Sequence, residues 1–326
     1  MKRRLVARRI AAAVALAAGM PGWLGAQPAA KVPRIGVLRW GVPGDENQSG
    51  LTQALAAIGY RQGQTIEIEW RWATNRELAQ RHAAEMLAMN PDLLVASATP
   101  AALTLRDATR SVPIILGSAA DPVGTGLVAS LARPGGNITG VSSNLPALVA
   151  KQVQLLKETL PTLQRVAFLG STLDPATKAF TEQLQAATRA LGLKLQVVLI
   201  GQDSEFETAA DAMQRERAQG VIVQPLFTLG QSGLLAEILM RRKLPSISAF
   251  RPYALAGGLM SFGSSRADTF RRIASFVDRV LKGAKPADLP VEEPTMYELV
   301  FNLATAKALG VTIAQPMRLR ADEVIE

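Results

Sequence analysis

No cysteine occurs anywhere in the 326 residues. That excludes disulfides, thiolate metal sites and cysteine nucleophiles together. Histidine occurs once, at His82. It falls in residues 74–89, which read as a helix opened by a Thr74-x-x-Glu77 capping box. A lone histidine on a helix flank is far more often structural than a catalytic base. The commonest hydrolase and metal constellations therefore lack their parts. The composition thus argues against the common catalytic mechanisms, and no metal or cofactor is expected. Beyond residue 26 no stretch is long and apolar enough to span a bilayer, which takes roughly 20 residues.

The first 26 residues carry a distinct pattern. Lys2, Arg3, Arg4, Arg8 and Arg9 form a basic head, Ile10 to Met20 an apolar run, and Leu24-Gly25-Ala26 a stretch of small residues after Pro21-Gly22. This is the layout of a secretory signal peptide cleaved after Ala26. Arg8-Arg9 also permits a twin-arginine reading. Removing this leader takes five of the 36 basic side chains and none of the 27 acidic ones, which lowers the net charge from +9 to +4. Such a mild balance, without a clustered basic stripe, argues against nucleic acid as a partner. With no cysteine to carry a lipid, the mature chain is expected to be soluble in the periplasm and not inserted in a membrane.

The remaining chain alternates short apolar runs with helical periods. Strands are read at 34–38, 66–72, 92–96 and 112–116, with helices between them and a short strand around Val141. A second series starts near Lys151, with strands at 166–169, 195–200, 220–224 and 246–248 separated by helices. Two series of this kind predict an α/β protein with two doubly wound parallel-sheet lobes. The boundary falls in the Gly-, Pro- and Asn-rich stretch 133–144. Residues 257–263 end the second series, and further elements follow: a helix at 265–281 with a Ser265-x-x-Asp268 box, an extended proline-rich stretch, and a final helix at 297–309. A chain that completes two lobes and then continues is expected to cross between them again, making a multi-strand hinge. Lobe one is drawn at 32–142 plus 264–285, and lobe two at 144–262 plus 287–326. The cleft between hinged lobes is a common site for a small ligand.

Three predicted strand ends share one device: Thr99-Pro100, Asp121-Pro122 and Asp174-Pro175 each pair a helix-capping residue with proline. Such ends put backbone N–H groups at the carboxyl edge of a sheet, where open α/β sheets bind ligands and where a carboxylate is a natural guest. The neighbouring loops Ser97-Ala98-Thr99 and Gly117-Ser118-Ala119 strengthen this reading. Trp40 and Phe227, each following a strand, are candidates to stack on a planar ligand. Arg251, between Phe250 and Pro252, is a candidate to pair with a ligand carboxylate. The run Gly124-Thr125-Gly126-Leu127-Val128-Ala129 fits a dinucleotide fingerprint, but it does not directly follow its strand and lacks the acidic residue about 20 positions on.

Several runs resemble one family: RIGVL (34–38), GTGLVASLARPGGNITGVS (124–142), GGLMSFG (257–263), LKGAKPADLPVEEPT (281–295), TAKALGVTI (305–313) and LRADEVI (319–325). In this order they look like the signature of ABC transporter substrate-binding proteins of the tryptophan/tyrosine type. The resemblance implies a type I periplasmic-binding-protein fold, no enzymatic activity, and delivery of a solute to a permease driven by an ATPase. It carries a ligand-binding role to Ser97, Thr99, Pro100 and to Asp121 with the preceding Ala119. Where the family has an asparagine-proline loop, this chain reads Ser171-Thr172-Leu173-Asp174. An acidic residue often follows the arginine of the family's Arg251 loop, and here Pro252 does.

The expectation is therefore an exported, monomeric solute-binding protein that closes on a small carboxylate-bearing molecule, an amino acid or an aromatic acid. Lobe one holds the carboxylate through Ser97, Thr99, Pro100 and the Ser118–Asp121 loop, with Ala119 within it. Trp40 flanks the site, and lobe two closes with Asp174, Phe227 and Arg251. A periplasmic sensor that presents its solute to a membrane receptor is the alternative. A lactose-repressor-like regulator would need a DNA-binding helix-turn-helix where this chain has a leader.

Overall fold

Five strands build the first sheet: β1 (Arg34–Trp40), β2 (Glu67–Ala73), β3 (Leu93–Ser97), β4 (Ile114–Ala119) and β5 (Ile138–Ser142). All are parallel, in the order β2-β1-β3-β4-β5. The three inner strands are apolar almost throughout, as parallel strands covered on both faces must be. Between the strands run α1 (Asp45–Ala57), α2 (Arg76–Ala88) and α3 (Thr99–Ala108). The computed structural model describes residues 31–43 and 45–326, so the expected leader at 1–26 lies outside the described residues.

The second unit of pattern begins with α4 (Leu145–Thr159) and continues through β6 (Arg165–Ser171), α5 (Thr177–Ala190), β7 (Lys194–Ile200), α6 (Phe206–Arg215), β8 (Gly220–Val223), α7 (Ser232–Arg241), β9 (Ser246–Ser248), α8 (Arg251–Leu255) and β10 (Met260–Ser264). The chain then forms α9 (Arg266–Leu281), β11 (Tyr297–Asn302), α10 (Leu303–Leu309), α11 (Gln315–Leu319) and β12 (Glu323–Ile325). The second sheet has seven strands in the order β12-β11-β10-β9-β8-β6-β7. Only the β10–β11 pair is antiparallel.

Each sheet is covered on both faces. One face of the first packs Leu38, Leu94 and Leu116 against Ala83 and Met86 of α2 and Leu105 of α3. Its other face packs Val37, Ile115 and Val141 against Leu51 and Leu55 of α1 and Ile273 and Phe276 of α9. Helix α9 thus returns to the first sheet after the second is nearly complete. In the second sheet Phe168 and Ile222 meet Leu156 of α4 and Phe180 of α5. On its opposite face Leu169 and Val223 meet Phe206 of α6 and Leu239 of α7. Each such fully buried side chain contributes roughly 1.5–3 kcal/mol relative to exposure.

Three segments cross between the sheets, and each is pinned. At Ser143 the N–H donates to the Ala119 carbonyl at 2.8 Å. Ser265, between β10 and α9, donates to the Met296 carbonyl at 2.9 Å. The third crossing lays Glu292 beside β5, its N–H donating to the Gly140 carbonyl at 2.9 Å. Its carboxylate pairs with Arg272 and Arg279 of α9.

Four local expectations are corrected. Residues 297–309 are not one helix: Tyr297–Asn302 is a strand whose last four residues are buried, and Asn302 then caps α10 by accepting from the Thr305 N–H at 2.8 Å. Asp121-Pro122 opens a run of turns, with the Asp121 carboxylate accepting from the Gly124 N–H at 2.9 Å. Helix α2 is capped by Asn75, one residue after Thr74. Ser265 makes no side-chain cap; Asp268 instead pairs with Arg271 and Arg272, because strong opposite charges sit three and four residues away on the same helix face.

Candidate functional site

The carboxyl ends of β1, β3 and β4 face the start of α5 and the end of β8 across a mainly apolar cavity. A water molecule's centre can range over about 70 Å³ inside it. Treated as a sphere and grown by a water radius of about 1.4 Å, that space encloses on the order of 260 Å³, the scale of one amino acid or aromatic acid. Val37, Leu51, Val95 and Ile273 line it from the first sheet and its helices. Leu145, Phe180, Leu226, Leu229 and Phe250 line it from the second.

The first-sheet wall is built from two unusual turns. Ala98, the N-cap of α3, has φ 74° and ψ 157°, a region glycine alone occupies readily. Ser118 has φ 94°, at the register shift in the pairing of β4 with β5. Backbone outliers of this kind cluster at functional sites. The Thr99 hydroxyl ties them together, accepting from the Ala120 N–H at 3.0 Å. Its own proton remains available to donate. The first N–H groups of α3 have no partner within the helix, so the positive end of the helix dipole meets the cavity.

Arg39 supplies the charge. It lies in β1 between Leu38 and Trp40, is 5% exposed, and lines the cavity. Among the described residues no carboxylate pairs with it. Burial, and secondarily the nearby Arg266 charge, pull its pKa down to about 9. Arg266, at the start of α9, lines the same cavity with its guanidinium 5.4 Å from the Phe250 ring centre and 5.5 Å from that of Phe270.

On the opposite wall Asp174 is 6% exposed. One of its carboxylate oxygens accepts from the Ala176 N–H at 3.0 Å and the other from Gln224 Nε2 at 2.9 Å. Burial pushes its pKa up to about 6, against the pull of those two donors. Gln224 is itself oriented, its Oε1 accepting from the Ser171 N–H at 2.7 Å.

Of the residues expected at the site, Ser97, Thr99, Ser118 and Asp174 line this cavity. Pro100 and Ala119 are buried beside it, Pro100 in the first turn of α3 and Ala119 at the end of β4 with its carbonyl accepting from Ser143. The structure does not bring the other four to it. The Asp121 carboxylate is occupied in its own turn. Trp40 and Phe227 line a separate, wetter groove with Asn75, Asp203 and Gln231. Phe227 also meets Phe206 edge-on at 5.5 Å, which makes it a core residue. Arg251 bonds Glu323 of β12 at 2.5 and 2.9 Å, and the two line a separate surface pocket with Tyr297 and Asp322. Its charge is drawn to the carboxylate that strand pairing brings next to it.

Arg39, Arg266, Gln224 and Phe180 were not anticipated. A signal for Arg39 did exist, as a charge continuing an apolar strand directly before a buried tryptophan. Arg266, Gln224 and Phe180 reach the cavity only through the crossings of the chain.

Among the described residues no helix is long and apolar enough to cross a membrane, and no cluster of three His, Cys, Asp or Glu side chains could hold a metal. Residues 43–325 match the family described as ABC transporter substrate binding protein. A solved protein from Vibrio cholerae is similar over 90% of this chain and 100% of its own, at 27% identity and a TM-score of 0.84. An ABC domain from Streptococcus pneumonia, solved in complex with L-Trp, is similar over 90% of this chain and 99% of its own, at 29% identity and a TM-score of 0.82. A tyrosine-binding protein of Clostridioides difficile is 25% identical over 281 residues, 86% of this chain and 79% of that protein. With the family pattern running through both sheets and all three crossings, the chain belongs to the ABC transporter substrate-binding protein family.

Proposed function

We propose that this protein is the exported solute receptor of an ABC uptake system, working in the periplasm and handing its solute to a membrane permease powered by an ATPase. The solute is a small carboxylate-bearing molecule with an apolar body, enclosed between the two lobes. The observation that carries this reading is Arg39, a buried guanidinium that lines an apolar cavity without a carboxylate partner among the described residues. An uncompensated buried charge destabilises a fold by several kcal/mol, and an arriving carboxylate removes that penalty. Ser97, Ser118 and the Thr99 hydroxyl stand at the same wall as donors. The names of two relatives, one binding tyrosine and one solved with L-Trp, support an amino acid or an aromatic acid as the guest.

Closure follows from the same geometry. The donors for the carboxylate stand on the first sheet, and Phe180, Leu226 and Phe250 stand on the second. A solute touching both walls binds the closed arrangement better than the open one and shifts the population toward it. The three crossing segments are where that bending takes place.

The test is thermal-shift screening of residues 27–326 against amino acids and aromatic acids, each paired with its carboxamide. An acid at about 100 times its Kd stabilises the protein by about 2.7 kcal/mol, and its amide does not. Equal stabilisation by acid and amide sinks the carboxylate assignment. Loss of labelled-solute uptake on deletion of the gene tests the transport role.

A further inference from the structure

We infer that Asp174 is the specificity-determining residue of this cavity, accepting an ammonium group carried by the solute, so that the solute bridges the lobes from Arg39 to Asp174 as a zwitterion with an apolar side chain. The inference rests on the carboxylate reading of Arg39 above and adds a second recognition point on the other lobe.

Two isolated charges of opposite sign line one cavity without pairing with each other. Arg39 stands on β1 of the first sheet, and Asp174 stands just before α5 on the second. No salt bridge among the described residues involves Asp174. Capping of α5 does not explain its charge. The single bond to the Ala176 N–H could be accepted equally by a neutral asparagine or serine oxygen. The second carboxylate oxygen is held by Gln224, whose amide cannot be reversed without losing the Ser171 N–H bond to its oxygen. The local structure thus presents two fixed donors to a carboxylate and keeps it ionised near neutral pH, while leaving it without a cation. Its remaining lone pairs face a cavity otherwise lined on that side by Phe180, Pro225 and Leu226. A guest that supplies only a carboxylate satisfies Arg39 and leaves Asp174 buried and uncompensated. A guest that carries both charges satisfies both walls at once.

The experiment compares matched pairs that differ by the ammonium alone: L-tryptophan with indole-3-propionate, L-tyrosine with 3-(4-hydroxyphenyl)propionate, L-phenylalanine with 3-phenylpropionate, and L-leucine with 4-methylpentanoate. Affinities are measured by calorimetry at pH 7.5 on wild type, Asp174→Asn and Arg39→Met. For at least one pair the wild type prefers the amino acid by roughly 10- to 150-fold, the range of one charge-assisted hydrogen bond. Asp174→Asn removes that preference and binds the des-amino acid at least as well as wild type does. Wild type binding both members of every bound pair alike, or binding none of the eight, overturns the proposal. So does Asp174→Asn weakening both members equally.

A second measurement needs no variant. The groups facing Asp174 are the neutral Gln224 and Thr177 beside it and the arginines Arg39 and Arg266 in the same cavity, Arg39 keeping its proton below its value of about 9. Between about pH 6 and 5, where Asp174 gains its proton and the carboxyl groups of all the solutes remain ionised, amino acid affinity therefore falls by up to about tenfold and des-amino acid affinity does not. Parallel pH profiles for the two members contradict the assignment. Failure of the underlying carboxylate reading shows separately, as an Arg39→Met protein that binds both members as tightly as wild type.

Discussion

Replacing Arg39 with methionine should move stability and affinity in opposite directions. Methionine keeps an unbranched apolar stem in β1 and removes the guanidinium. In the empty protein that guanidinium is a liability, because burial and the Arg266 charge hold its pKa at about 9. That lies well below the ordinary arginine range, and each pKa unit corresponds to about 1.36 kcal/mol, so the penalty of the buried charge is at most about 5 kcal/mol. The sign is set by the depressed pKa of a cation. Below pH 9 native and unfolded chains both carry the proton, so the whole penalty is present. It is relieved only as pH rises through the interval from the native value to the unfolded one. At pH 7.5 the unliganded variant should therefore be more stable than wild type by about 2–5 kcal/mol, the lower figure allowing for relaxation around the charge. Affinity should fall by roughly 10- to 150-fold, the loss of one charge-assisted hydrogen bond. Urea unfolding of the empty proteins measures the first effect and calorimetry with the best solute from the screen measures the second. A variant that is less stable when empty, or that binds as tightly as wild type, refutes the reasoning.

Gly41 and Gly230 let the two lobes approach closely in the separate groove that Trp40 and Phe227 line. A Cβ on Gly230 would stand 2.9 Å from Val42 Cγ2 and 3.2 Å from the Val42 backbone nitrogen. Gly230→Val should therefore weaken binding by roughly tenfold, on the order of 1.4 kcal/mol, by wedging the lobes apart; an unchanged Kd and an unchanged solute-induced compaction in X-ray scattering would count against it. Asp174 is a carboxylate with a raised native pKa, so the native state binds its proton more tightly than the unfolded chain does. Its contribution to the stability of the empty protein is accordingly greatest below its ordinary pKa of 3.8 and is lost as pH rises to about 6, by up to about 3 kcal/mol. Denaturant titrations of wild type and Asp174→Asn between pH 4 and 7 should show that difference, and superimposable curves would exclude it. Arg251→Ala should leave solute affinity unchanged, because the guanidinium is committed to Glu323 away from the cavity; a tenfold loss in calorimetry would return Arg251 to the site.

The alternation of apolar runs and helical periods in the sequence was enough for two doubly wound lobes, because inner parallel strands such as β3 and β8 must be apolar on both faces. It was not enough for residues 297–309. Tyr297–Asn302 and Leu303–Leu309 share a helical apolar spacing, and only the pairing of β11 with β10 makes the first half a strand. Capping motifs misled for a similar reason. Asp121-Pro122 and Asp174-Pro175 look alike in sequence, yet one closes a turn upon itself while the other is carried to the cavity wall by its place before α5.

Composition and pattern by themselves determined the class of this protein. The absence of cysteine removed disulfides and thiolate chemistry from consideration, and two β-α series called for two lobes with a cleft between them. The place of Ser97, Thr99 and Ser118 on the cavity wall was legible because strand ends are local, and a strand end in an open parallel sheet has one place to be. What only the tertiary structure decided was where the charges stand. Arg39 and Arg251 have similar immediate neighbours, each an arginine beside an aromatic residue near the end of a strand. Burial without a carboxylate partner among the described residues distinguishes the first, and strand β12 neutralises the second. Charge acts through space across whatever the fold brings near, so the partner of an arginine is set by the crossings of the chain and not by its neighbours along it.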